Sequence, residues 1–240
     1  MTPEWALGAL VIAAASFVMG LAGFGIGLVA LAFLPFFMSP VTAVVLTMIY
    51  ALLSAIVVLL PLRRDVEPIG LPVLLLGTIA GAPLGIWVLA TLPATTLNRL
   101  IGAVLLAVVA LEWLGVHPER LRGRGWALGA GVVAGVLGGA VGTPGPPVVL
   151  YAAAQGWSPR TIKANLQIFF IVNEAVILAG YWWAGLLTRD VWRFTAIFFV
   201  PAALGLIAGM ALFARVDQRR FRQIVFALLF ASGAVLLVRG

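Results

Sequence analysis

The sequence predicts an all-α polytopic membrane protein of two homologous four-segment halves, each with a broken or re-entrant first helix followed by three spans. Three observations carry that expectation. Of 240 residues, 63% are hydrophobic and 10% charged, whereas soluble domains carry ~25% charged residues. Apolar stretches recur at the length a helix needs to span a bilayer, ~20 residues. The chain also repeats itself at an offset of 119: Gly20-Leu-Ala-Gly23 returns as Gly139-Ala-Val-Gly142, and Ser39-Pro40-Val-Thr42 as Ser158-Pro159-Arg-Thr161. The offset becomes 124 where Gly81 and Gly85 meet Gly205 and Gly209, and where Leu97, Leu100 and Leu105 meet Phe221, Ile224 and Leu229. The five extra residues fit near Trp182 to Thr188.

The first segment, 5–38, follows a start (Met1-Thr-Pro-Glu4) without the basic region of a signal peptide and is expected to stay in the protein. At about 34 residues it is too long for one span and short for two, and Gly20, Gly23, Gly25 and Gly27 interrupt it. Segments 41–60, 70–92 and 97–114 complete a first repeat, 1–114. Val104 to Leu111 is apolar at every position, which excludes the alternation of a lipid-facing barrel strand. Gly115 to Gly125 is a short basic linker, followed by the second repeat, 126–240. Its first segment, 126–157, is interrupted by Gly138, Gly139, Gly142 and the run Pro144 to Pro147, where Pro146 and Pro147 predict departure from the α-helix. Arms of roughly half-span are expected on either side of both breaks. Segments 162–187, 191–213 and 221–238 complete the chain as one membrane domain.

Charge distribution separates two topologies. If both broken segments cross, Arg63, Arg64, Arg120, Arg122, Arg124, Arg189, Arg193 and Arg239 face one side and the other seven Lys and Arg the opposite side, 8 to 7. If both dip in and return, one side collects 11 and only Arg99, Arg189, Arg193 and Arg239 remain opposite. The positive-inside rule favours the second arrangement, with both termini outside, the linker cytoplasmic and the halves inverted. The cytoplasmic (inner) membrane of a bacterial-type cell is the expected location.

The net charge of +7 is scattered through short loops, which suits orientation in the membrane better than nucleic-acid binding. There is no cysteine, one histidine (His117, in the linker) and one lysine, Lys163, outside any Gly-x-x-x-x-Gly-Lys sequence. Thiolate metal sites, HExxH zinc chemistry, Cys-His catalysis and a Walker phosphate loop are excluded, and neither an enzyme nor a cofactor or metal is expected. Seven tryptophans near segment ends fit interfacial belts. Membrane lipids are the expected surroundings, and a homodimer is in keeping with a small bundle.

Non-helical backbone at membrane depth must face protein or a watery cavity, and free N–H groups at a helix restart attract anions. Gly23, Phe24, Gly25 and Gly27, with Gly142, Thr143 and Gly145, are therefore candidates to bind a small anion. The competing reading is that such glycines let helices pack. The sixth segment is polar for its depth, with Asn165, Gln167 and Asn173 as further candidates. Gln167 and Glu174 share a helix face, whereas Asn165 points nearly opposite. Glu174 is either a proton-coupling carboxyl or a neutral acid bonded within the bundle, since an unpaired carboxylate there costs several kcal/mol. Arg160 and Lys163 either attract an anion at the cytoplasmic entrance or anchor the topology.

The Gly-x-x-Gly-Phe-Gly-x-Gly stretch at 20–27, its degenerate partner at 139–147 and the Ser-Pro-x-Thr sequences after each resemble the sulfite exporter TauE/SafE family over nearly the whole chain. The resemblance implies a permease for sulfite, organosulfonates or related anions. The first half reads Gly25-Ile-Gly27 where members often carry three glycines, which bears on the substrate more than on the fold. The function expected is gradient-driven anion transport by alternating access at two opposed Gly-rich breaks. Alternatives are a channel or importer for another small anion, and a membrane assembly subunit without a substrate.

Overall fold

The computed structural model describes residues 3–68, 70–115, 123–212 and 218–239. His117, Arg122, Arg215 and most of the linker lie outside the described residues. All regular structure described is helical: α1 (Pro3–Ala22), α2 (Ile26–Phe33), α3 (Pro40–Leu59), α4 (Leu71–Thr91), α5 (Ala94–Trp113), α6 (Arg124–Val141), α7 (Gly145–Ala154), α8 (Pro159–Trp183), α9 (Arg189–Leu212) and α10 (Gln218–Arg239). Seven stretches among the described residues, those on α1, α3, α4, α5, α6, α8 and α9, are long and apolar enough to cross a membrane. Leu76, Leu84 and Trp87 of α4 and Val200, Leu204 and Ile207 of α9 stay exposed, as lipid-facing side chains do. The chain is a multi-pass membrane protein.

The duplicated Ser-Pro-x-Thr sequences are helix starts. Ser39 and Ser158 are N-caps whose hydroxyls accept from the backbone N–H of Thr42 and Thr161, each at 3.1 Å. Pro40 and Pro159 follow in the first turn, where a missing N–H costs nothing. Of the stretch 182–188, where the sequence places the five extra residues, only Trp182 and Trp183 are helical, and the second half is longer in its helices. α8 has 25 residues against 20 in α3, and α9 also begins earlier in its repeat than α4.

The breaks differ from the expectation in two ways. Their arms are unequal: α1 and α6 have 20 and 18 residues, whereas α2 and α7 have 8 and 10. The helices run through Gly20, Gly138 and Gly139 and end only where glycine takes a left-handed conformation, at Gly23 (φ 82°) and Gly25 (φ 94°) in one half and Gly142 (φ 61°) in the other. Pro146 and Pro147 do not end a helix. They lie in the first turn of α7, where proline is preorganised.

The remaining duplicated glycines explain the packing. α1 lies against α9 and α4 against α6, while α5 pairs with α10 and α3 with α8. A Cβ on Gly205 or Gly209 would strike the carbonyl of Ala13 or Phe17, and one on Gly81 or Gly85 that of Val132 or Val136. Ala13 and Phe17 plus 119 are positions 132 and 136, so the same close approach is built twice. Gly20 meets Leu206 and Met210, as Gly139 meets Ala82 and Ile86. Increasing numbers pair with increasing numbers, so α1 runs parallel to α9 and α4 to α6. α5 and α10 run antiparallel: Gly102 lies against Gly233 and Leu237, and Trp113 stacks on Phe230.

Candidate functional site

One face of α8 passes both breaks. Lys163, Gln167, Phe170, Glu174, Ile177 and Tyr181 are spaced by four and three residues alternately, which places them in one stripe. At the amino end of α8, Lys163 lays its stem across Gly23 and donates from Nζ to the carbonyls of Gly20 (3.1 Å) and Leu21 (3.4 Å). Gln167 donates from Nε2 to Gly23 O at 2.7 Å. At the other end Tyr181 donates from its hydroxyl toward Gly139 O (2.8 Å) and Gly138 O (3.2 Å). The last turns of α1 and α6 carry carbonyls without helical partners and partial negative charge. α8 covers both, with an ammonium on one and a phenol on the other.

Between these clamps lies a small cavity of about 20 Å³, room for roughly one water molecule. Phe24, Gly25, Ile26, Gly27 and Leu28 line it from one break and Gly142 to Pro146 from the other, with Met19, Ala51, Phe170 and Glu174 closing it. The amino ends of α2 and α7 therefore open on the same space. A Cβ on Gly25 would meet only Val18, at 3.4 Å, and one on Gly145 would lie 3.7 Å from Phe170 and 3.8 Å from Phe24, so both glycines border free room. Glu174 and Thr143 are 1% and 3% exposed, and Glu174 Oε2 and Thr143 Oγ1 have no hydrogen-bond partner. Glu174 is the one titratable side chain among the described residues lining the cavity. Such a site presents amide N–H groups, a hydroxyl and a carboxyl within apolar walls, the kinds of group that hydrogen-bond an oxyanion.

The structure divides the other sequence candidates. Gly27 lines the cavity and also lies against the carbonyl of Gly142, so the two breaks meet there. Asn165 faces away from the cavity: Oδ1 accepts from Glu67 N at 3.0 Å and Nδ2 donates to Glu67 O at 2.8 Å. Asn173 accepts from the Thr78 hydroxyl of α4. Arg160 pairs with Asp65 at 3.1 Å on an exposed surface. Sequence reasoning missed Met19, Ala51 and Phe170 as lining and Tyr181 as a clamp. Phe170 and Tyr181 were signalled by their spacing from Gln167 and Glu174, but Met19 and Ala51 carried no sign in an apolar sequence. A second hollow of about 410 Å³ shares Phe24, Leu28 and Pro146 with the cavity and extends to Glu112 and Gly115 at the end of α5.

A family model described as sulfite exporter TauE/SafE matches residues 8–236. A protein of Cupriavidus necator described as a probable sulfite/organosulfonate exporter TauE is 28% identical over 167 residues, 68% of this chain. The match covers 65% of that relative, just under two thirds of its length. No solved structure matches.

Proposed function

The chain belongs to the sulfite exporter TauE/SafE family, and from that premise we propose that it is a gradient-driven transporter of small sulfur-containing anions, sulfite or an organosulfonate. The observation that carries this reading is the convergence of two half-helix amino ends on one cavity while α8 covers the opposing carbonyl ends. Positive helix ends directed at an anion from two repeats are the arrangement by which secondary transporters hold substrate. The binding groups are Phe24, Gly25, Gly27, Gly142, Thr143 and Gly145, with Glu174 as the coupling residue. The antiparallel α5–α10 pair supports inverted repeats, because equivalent helices that meet antiparallel require the halves to run in opposite senses across the membrane. Alternating access then exchanges the hollow beside Phe24 for an equivalent opening on the opposite face.

The test is binding of radiolabelled sulfite or methanesulfonate to the purified protein, and uptake by liposomes containing it. Gly145→Leu fills the room between Phe24 and Phe170 and is expected to reduce both at least about tenfold, whereas Gly145→Ala adds a Cβ at ordinary contact distance and is expected to remain within a few-fold of the parent. A correctly inserted Gly145→Leu protein that binds like the parent would mean that the site lies elsewhere.

A further inference from the structure

We propose that this cavity takes its anion as a monoanion and discriminates against dianions of the same shape. The inference rests on the transport-site reading and adds a charge rule to it. Two helix amino ends face the cavity, each equivalent to roughly half a positive charge, so the fixed field amounts to about +1. No Lys or Arg lines the space among the described residues. The one lysine of the chain, Lys163 on the α8 stripe, directs its ammonium at the Gly20 and Leu21 carbonyls of α1. The α7 end cannot add many donors, because Pro146 and Pro147 occupy its first turn without N–H groups.

The remaining polar atoms fit a single charge. Thr143 Oγ1 and Glu174 Oε2 are buried at the cavity without partners. A hydroxyl and a carboxylic acid both donate to oxyanion oxygens, whereas a carboxylate at Glu174 would repel the substrate. In the loaded state Glu174 therefore holds its proton, and the helix ends balance one negative charge. The other titratable side chains on elements packed against α8 are Tyr50, Tyr151 and Arg124 on the helices and Arg63, Arg64, Asp65 and Glu67 in the connection after α3. None of them lines the cavity. A second charge on the substrate would be uncompensated, and the Born cost of moving an ion out of water rises with the square of its charge, about fourfold for a dianion. Apolar walls from Met19, Phe24, Leu28 and Phe170 leave that cost in force. Hydrogensulfite and simple sulfonates satisfy the rule, and sulfate does not.

Methanesulfonate and sulfate separate charge from shape, being tetrahedral sulfur oxyanions of similar size with one and two charges. Each is to be competed against radiolabelled methanesulfonate on the purified full chain. Sulfate is expected to compete at least about tenfold more weakly, a difference of ~1.4 kcal/mol. Met19→Lys then puts an ammonium on the cavity wall with a side chain of similar length, and is expected to narrow the ratio at least about tenfold. Sulfate competing as well as methanesulfonate in the parent overturns the charge rule while leaving the transport site intact. An unchanged ratio in correctly inserted Met19→Lys also overturns it, since discrimination would then come from shape. Failure of methanesulfonate to bind at all removes the transport-site reading and the charge rule with it.

Discussion

Glu174 is the residue where burial and chemistry conflict most directly. Its carboxyl sits 1% exposed beside two helix amino ends, with one oxygen unpartnered. Cationic side chains are absent from the cavity lining among the described residues. A carboxylate so placed is stabilised by the helix ends only while no anion competes for them. On the proposed reading, anion entry favours proton uptake and proton release favours anion exit, which would couple the two. Glu174→Gln keeps the shape and the donor but cannot change charge. In liposomes it is expected to exchange anion down its own gradient while losing the accumulation driven by an imposed pH gradient. Unaltered pH-driven accumulation by this variant would exclude the coupling role. The sequence showed Glu174 and Gln167 on one face because helical spacing alone fixes that. It did not show that Lys163 reaches back to Gly20, since a long side chain at a segment end reads equally well as a topology anchor.

At the scale of elements, the glycines sort into two kinds that a sequence cannot distinguish. Gly20, Gly81, Gly85, Gly139, Gly205 and Gly209 lie inside helices and bring α1 onto α9 and α4 onto α6 at backbone contact. Close approach through small residues is how helices associate where the hydrophobic effect offers no drive. Gly25 and Gly145 instead border the cavity. Gly205→Leu is expected to push α9 off the Ala13 carbonyl, destabilising the protein by about 1–3 kcal/mol or more, measured as a lower Tm in detergent. Gly145→Leu is expected to lose binding with a smaller change in Tm. A Gly205→Leu protein as stable as the parent would show that the α1–α9 contact is not a constraint. The existence and position of both breaks were legible, because glycine clusters that recur at a fixed offset inside apolar sequence mark interrupted segments in corresponding places of two repeats. Their unequal arms were not, since Gly20 and Gly139 look like breakers until the neighbouring helix is in place, and Pro146 looks like one until its place in the first turn of α7 is known.

For the whole molecule, the re-entrant topology is a proposal that the division of charge and the contacts between helices both support. Arg160 bonds Asp65 at 3.1 Å and Asn165 holds the backbone of Glu67, which brings the connection carrying Arg63 and Arg64 to the end of the bundle where α8 begins. Arg193 stacks over Trp5 with 4.4 Å to the ring centroid, at the opposite end of α8, where α9 begins beside the start of α1. Were both broken segments to cross, the sequence would put Arg63 and Arg160 on opposite faces, which the ion pair opposes. The re-entrant arrangement puts them together and gives the 11-to-4 division of Lys and Arg. It predicts that Arg122 is cytoplasmic and that Ser39 lies on the opposite face, with the N-terminus. Because the chain has no cysteine, Ser39→Cys and Arg122→Cys each introduce a unique thiol. The cap bond lost at Ser39 costs ~1 kcal/mol, too little to invert a membrane protein. A membrane-impermeant thiol reagent applied to intact cells is expected to label position 39, and to label position 122 only after permeabilisation. Labelling of position 122 but not 39 in intact cells would reverse the orientation. Labelling of both before permeabilisation would put the two positions on one face, which three crossings between them do not allow.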